Sequence, residues 1–241
     1  MRLIRWSLPF ALLGALILPA SLFANASTPV HLTYETYVLG FPTASLSSTL
    51  DLGPPGYRID VAVRTIGAAA IFFGGYQTSE VRGLWEADRP EPSWFMSDGV
   101  WHGENRHVLI EYPHGQPSVL SLVPPEDPDR EPVPAAMGAQ SVDQLSAMAL
   151  LIHRVAETGR CDASARTYDG RRLAVVEAAT VGEERLPFTG RSSFSGPALR
   201  CNFEGRLLAG FVRGADAAAR RGQHMGLLGL RRSSPERRRC R

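Results

Sequence analysis

Between residues 57 and 65 the chain alternates with a period of two. Tyr57, Ile59, Val61 and Val63 fall on one face, and Arg58, Asp60, Ala62 and Arg64 on the other. A strand with one apolar and one largely charged face suits an antiparallel sheet with a buried side and a wet side. Residues 31–39 read the same way, with Leu32, Tyr34, Thr36 and Val38 sharing a face. Further strands are predicted over residues 43–51, 76–87, 93–96, 106–112, 166–168, 171–178, 191–200 and 205–212. Turn residues punctuate the runs: Gly53-Pro54-Pro55-Gly56, then Asp98-Gly99 and Asp169-Gly170. The two Asp-Gly pairs suit tight hairpins, whose central residues need positive φ.

One segment changes period. Val142, Leu145, Met148, Ala149, Ile152 and Val155 recur at helical spacing. Ser141 with Gln144 three residues on predicts a capping box at the start, and Gly159 predicts the stop. A stretch holding five of the 18 prolines, residues 124–134 (PPEDPDREPVP), precedes this helix and reads as an exposed connector. Strands, one helix, then strands again predict an α+β fold: a curved antiparallel sheet (half-barrel) packed around one main helix.

The N-terminus adds a location. Arg2 and Arg5 precede an uncharged apolar stretch from Leu8 to Phe23, and Ala24-Asn25-Ala26 follows as a cleavage site. That order is the order of a secretory signal, with Ser27 as the mature N-terminus. The stretch is about 16 residues and contains Pro9 and Pro19, short of the roughly 20 a spanning helix needs. Residues 66–75 (IGAAAIFFGG) are shorter still and read as buried wall or loop. The expectation is a periplasmic protein that does not span the membrane once its signal is cleaved.

Charge divides the remainder. All 26 basic residues are Arg, and nine of them lie from Arg213 onward against only Asp216 and Glu236. The body from Ser27 to Val212 holds 15 Arg against 22 acidic residues, a net charge of about −7. A net-acidic body argues against nucleic-acid binding, which wants a basic face. The expected organisation is a signal peptide over 1–26, a single β-rich domain over 27–212, and a basic tail over 213–241. The tail lacks strand alternation and is expected to be disordered or translated out of frame.

Cys161 and Cys201 are the only cysteines of the body. In an oxidising compartment an even pair invites a disulfide, here expected on neighbouring strands and closing a loop of about 40 residues. Such a loop is worth roughly 4 kcal/mol in the chain-entropy model.

Catalytic chemistry finds little support. The run Gly190-Arg191-Ser192-Ser193-Phe194-Ser195-Gly196 lacks the G-x-S-x-G spacing of a nucleophile elbow. His102, Glu104, His107 and His114 cluster in sequence, but a strand would send His102 and His107 to opposite faces, so a solvated hairpin is the reading and no metal is expected. The acidic run Glu126-Asp127-x-Asp129-x-Glu131 is interrupted by proline and lacks the calcium-loop spacing. Asp169, Arg171 and Arg172 are read as a hairpin turn, with an anionic head-group site as the alternative. No cofactor is expected.

Several landmarks fall in a recognisable order: Tyr34-Glu35-Thr36-Tyr37 with Gly40, Tyr57-Arg58-Ile59, and the proline-rich connector. After these come Ser141-Val142-Asp143-Gln144-Leu145-Ser146, Cys161, Tyr168-Asp169-Gly170-Arg171-Arg172, and Gly196-Pro197-Ala198 before Cys201. From Thr33 to Val212 the chain resembles the exported bacterial family filed as domain of unknown function 3108. That resemblance implies a periplasmic location and no assigned activity. Its sheet-around-helix pattern is also similar to the outer-membrane lipoprotein carrier fold, a half-barrel that shelters acyl chains, and this second likeness concerns fold alone. Beyond Val212 the family's closing strands are expected, whereas the arginine-rich tail departs from them.

The expectation is a non-enzymatic binding or chaperone-like protein with a concave apolar sheet face. Its partner would be a lipid, an acyl chain or another hydrophobic ligand, or an envelope-protein segment. Phe72, Phe73, Trp85, Trp94, Phe95 and Trp101 are the candidate ligand-binding residues. The alternative is a structural or assembly factor of the cell envelope acting through protein–protein contacts.

Overall fold

The computed structural model describes residues 28–190, 194–214 and 224–225. The expected signal peptide lies outside the described residues, as does most of the tail.

The first half is a meander in which each strand pairs with the next. It runs β1 (Val30–Val38), β2 (Phe41–Asp51), β3 (Gly56–Thr65), β4 (Gly75–Glu86), β5 (Arg89–Trp101), β6 (Glu104–Glu111) and β7 (Ser118–Val123), all antiparallel. A short helix, α1 (Ala69–Phe73), fills the β3–β4 connection, and a single 3₁₀ turn, Pro113–Gly115, follows β6. Bulges at Thr36/Tyr37, Arg82/Gly83 and Leu109/Ile110 bend the strands and leave the sheet open and curved. After α2 (Ala135–Gly138) and the main helix α3 (Gln144–Thr158), a second antiparallel sheet forms from β8 (Ala163–Tyr168), β9 (Leu173–Leu186), β10 (Gly196–Ala209) and the two-residue β11 (His224–Met225). The fold is thus α+β with a curved antiparallel sheet. Its strands divide into two sheets, and α3 contacts both.

The alternation at 57–65 has its expected outcome. Tyr57 and Ile59 are buried, and register carries their face across the sheet: Leu50 opposite Ile59, then Val81, Phe95, Ile110 and Val119 in one continuous row. Ile59, Val81 and Ile110 are 0% exposed. α3 lays Leu145, Met148, Ala149 and Ile152 over this row. The opposite face carries an ionic ladder, with Glu80 2.9 Å from Arg58 and 3.0 Å from Arg82. These exposed pairs add little stability, ~0–1 kcal/mol each, but they keep that face wet.

Several boundaries differ from expectation. Asp98-Gly99 does not turn: it lies inside β5, where Gly99 pairs with Gln77 on one side and Arg106 on the other. A Cβ at Gly99 would run into the carbonyl oxygen of Tyr76, so glycine there serves a close strand approach. The β5–β6 turn falls instead at His102-Gly103, with φ of 52° and 79°. A hairpin does form at Asp169-Gly170, but its loop is four residues, 169–172, with Gly170 at φ 90° and Asp169 outside the positive-φ region. Residues 118–123 form a strand that alternation did not single out. The separate strands read at 191–200 and 205–212 are one strand, β10, from Gly196. Residues 66–75 are no buried wall, since Ile71 is 79% and Phe72 75% exposed.

α3 begins two residues later than predicted. Its cap is Asp143, whose carboxylate accepts from the backbone N–H groups of Leu145 and Ser146, both at 2.9 Å. Ser141 donates to the Gly138 carbonyl instead. Gly159 closes the helix with φ 70°. The proline-rich connector is tied to the end of the second sheet: Arg130 bridges Val212, and Glu131 N–H donates to the Phe211 carbonyl. Arg213 donates to the Asp129 and Pro128 carbonyls, so the described chain stays attached past Val212.

Candidate functional site

Strand alternation selects what the second sheet shows to α3. From β8 come Ala163, Ala165 and Thr167; from β9, Ala178, Val176 and Ala174; from β10, Phe203, Gly205 and Leu207. In register these form three cross-strand rows, Ala163–Ala178–Phe203, Ala165–Val176–Gly205 and Thr167–Ala174–Leu207. Alanine and glycine are poor strand residues, and here four alanines and a glycine face the helix. Ala147, Met148 and Leu151 of α3 border the same space from the helix side. A cavity of about 740 Å³, open to solvent on one side and mostly apolar in its lining, remains between helix and sheet. That is within the size range of small-molecule sites, which combine an apolar wall with few polar groups.

Behind one end of the cavity lies a buried cluster of Leu151, Cys161, Leu199 and Cys201, against which Ala163, Ala178 and Phe203 pack. Cys161 and Cys201 form the expected disulfide, with Cα atoms 6.0 Å apart. They do not sit on neighbouring strands, however. Cys161 lies in the connector before β8, Cys201 lies in β10, and β9 runs between those strands. The connector is pinned to β9 as well, by Cys161 N–H to Thr180 Oγ1 at 2.8 Å and Thr180 N–H to the Asp162 carboxylate at 2.9 Å. Arg130, Asp169 and Arg172 gather at the other end, and Gln144 and Arg206 also line the cavity. Asp169 shapes the β8–β9 turn by accepting from the N–H groups of Arg171 at 2.9 Å and Arg172 at 2.7 Å.

A second polar group sits at the start of α3. Tyr57 Oη and Ser146 Oγ are 2.7 Å apart, and Ser146 Oγ donates to Asp143 at 2.5 Å. Asp143 is fully buried, and desolvation raises its pKa to about 6 against the opposing pull of its hydrogen bonds. Burial likewise pushes the Tyr57 phenol upward. This network joins the large sheet to the helix cap and faces the core, away from the cavity lining.

The six aromatic candidates are scattered. Phe95 belongs to the buried row of the large sheet. Trp85 packs beside Tyr57, ring centroids 5.0 Å apart, and stacks on His153 at 4.5 Å. Trp94 is on the outer face with Arg82 above its ring. Trp101 is at the far end of β5, where its Nε1–H donates to Gln77 at 3.2 Å. Gln77 in turn bonds Ser79 and Ser97, so the inner face there is polar. Phe72 and Phe73 are exposed on α1. None of the six lines the cavity. The signal for the cavity was alanine at alternate positions of strands, where branched residues are usual, and a search for large aromatic side chains passes over it.

His107 Nδ1 is 2.5 Å from Asp98 Oδ1 across β5 and β6, and His102 sits in the hairpin turn. Among the described residues no three His, Cys, Asp or Glu side chains converge as metal ligands would. No helix among them is long and apolar enough to cross a membrane.

The family model described as "Protein of unknown function (DUF3108)" matches residues 33–199. No curated protein and no solved structure matches the chain.

Proposed function

The chain belongs to the DUF3108 family, and we propose that it is an exported, non-enzymatic binding protein that shelters an apolar cargo between α3 and the smaller sheet. The cargo is an acyl chain or another hydrophobic ligand, carried in the periplasm. The observation behind this reading is the cavity itself: about 740 Å³ of mostly apolar-lined space beneath the longest helix. Its wall residues, among them Ala165, Val176 and Leu207, are only half-buried, and a chain that keeps apolar surface facing water gains from covering it with a ligand. The expected location rests on the signal-like first 26 residues. Native mass spectrometry of the protein purified from the periplasm is the test, together with binding of the neutral dye N-phenyl-1-naphthylamine. Co-purifying lipid and dye fluorescence that the lipid quenches by displacement support the reading. A protein at its bare mass that also leaves the dye dark overturns it.

A second reading, an envelope assembly factor, has its own observation. Leu39 in the β1–β2 turn, Phe41 at the start of β2, and Ile71, Phe72 and Phe73 on α1 are exposed at one end of the large sheet, next to its edge strand β1. Cross-linking from Phe72 in cells would identify a protein neighbour under this reading and none under the carrier reading.

A further inference from the structure

The cavity has two unlike ends, and the difference is chemical. β8 runs from Ala163 to Tyr168, about 20 Å of strand, and α3 lies alongside in the opposite sense, its start held near Thr167 by the Val142 bridge. At the Ala163 end the lining is Leu151, Ala163, Ala178 and Phe203, all apolar, backed by the cluster of Cys161, Leu199 and Cys201. At the Thr167 end stand the guanidinium groups of Arg130 and Arg172 and the carboxylate of Asp169, and Gln144 and Arg206 also border the cavity.

That carboxylate is committed. Asp169 Oδ1 accepts from two backbone N–H groups and Oδ2 accepts from Arg172 Nε at 2.8 Å. Arg130 is served less well: its Nη1 donates to the neutral carbonyl of Gly210, and its Nε is buried with no hydrogen-bond partner among the described residues. Nε itself has no surface open to the cavity, so a ligand would meet this guanidinium at its terminal nitrogens, and an oxyanion is the acceptor best matched to them. Glu126, Asp127 and Glu131 line a separate shallow depression that Arg130 borders with Arg171, and they are not part of the cavity wall.

Resting on the cavity reading above, we infer that the ligand is a single-chain anionic amphiphile. Its carboxylate or phosphate lies against Arg130 and Arg172, and its tail runs past Ala165, Val176 and Gly205 towards the Cys161–Cys201 disulfide. The hairpin at 169–172 is then both a turn and half of a head-group clamp. Specificity follows from the two ends together: a neutral chain satisfies only the wall, and a short anion satisfies only the arginines.

Displacement of N-phenyl-1-naphthylamine by dodecanoate, dodecyl phosphate and dodecanol, each below its micellar concentration at low salt, tests this. One or both anions should displace the dye at concentrations lower than dodecanol by about tenfold or more, since charge-assisted bonds contribute at that scale. The anion that displaces better identifies the head group. Arg172→Gln leaves Asp169 without its cation, so the anion should lose its advantage while dodecanol displaces as before. Arg130→Gln should do the same; if circular dichroism shows that it fails to fold, Arg172→Gln alone decides. Equal displacement by all three compounds overturns the head-group inference and leaves the carrier reading standing, as does an anion preference that survives Arg172→Gln. Failure of the dye to bind, or of any compound to displace it, overturns the carrier reading and this inference with it.

Discussion

The two sheets meet the same helix and end differently. On the large sheet the helix-facing row is Leu50, Ile59, Val81, Phe95 and Ile110, and these side chains fill the space under α3. On the small sheet the middle row is Ala165, Val176 and Gly205, and the space stays open. Both sheets alternate in the same way, so periodicity alone does not tell a core from a cavity. The volume of the inward residues does, because interiors are close-packed and a deficit of methyl groups remains as a void. One face of the helix therefore holds the protein together, while the other is free to hold something else.

The comparison can be broken at four places. Replacing both members of the disulfide, Cys161→Ser with Cys201→Ser, loosens the cluster behind the small sheet's apolar end. It removes a cross-link spanning 40 residues, and urea denaturation should show a loss of about 4 kcal/mol. Ile59→Ala empties the centre of the filled row, where the side chain is 0% exposed. The expected loss is about 3 kcal/mol by the same measurement, the usual cost of a large-to-small core substitution.

Asp143 sharpens the comparison by tying the large sheet to the helix start. Its pKa in the folded protein, about 6, lies above the ordinary carboxylate value. The folded state therefore binds this proton more tightly than the unfolded chain does. The contribution is complete below pH 4 and is lost as pH rises through 6, a change on the order of 3 kcal/mol. Asp143→Asn keeps the helix cap and should flatten that part of the stability–pH profile between pH 4 and 7. A variant profile parallel to that of the parent would reject the assignment. The smallest effect is expected from Ala165→Leu, which adds volume where the cavity has room. Stability should change by about 1 kcal/mol or less, whereas dye binding should fall strongly. A loss of stability as large as that of Ile59→Ala would show that the small sheet is as tightly filled as the large one.

Much of the fold was legible because its causes are local. The face assignment at 57–65 follows from side chains that alternate across a pleated strand. The helix at 144–158 was visible from its apolar repeat and Gly159, and the disulfide from the count of body cysteines. The cap was misassigned by two residues because Ser141 and Asp143 are both good caps, and only backbone geometry selects Asp143. Gly99 was misread because a glycine needed for positive φ and one needed for close approach look the same in a string. Of the candidate site, the sequence offered six aromatics, which the fold distributes over the core, the outer face, an exposed helix and a polar strip.

The faces of β3, the approximate place of α3 and the cysteine pairing were determined by the sequence alone, the first two through spacing along the chain and the third through the count of body cysteines. The cavity was decided only by tertiary structure. Its floor comes from three strands and its roof from a helix, brought into register by pairings such as Ala165 with Val176 and Val176 with Gly205. Its polar end joins Arg130 to a turn some 40 residues further along the chain. Whether a set of alanines is a sparse strand or the wall of a site depends on what stands opposite. That is a property of packing distances between elements, and no local window of the chain contains it.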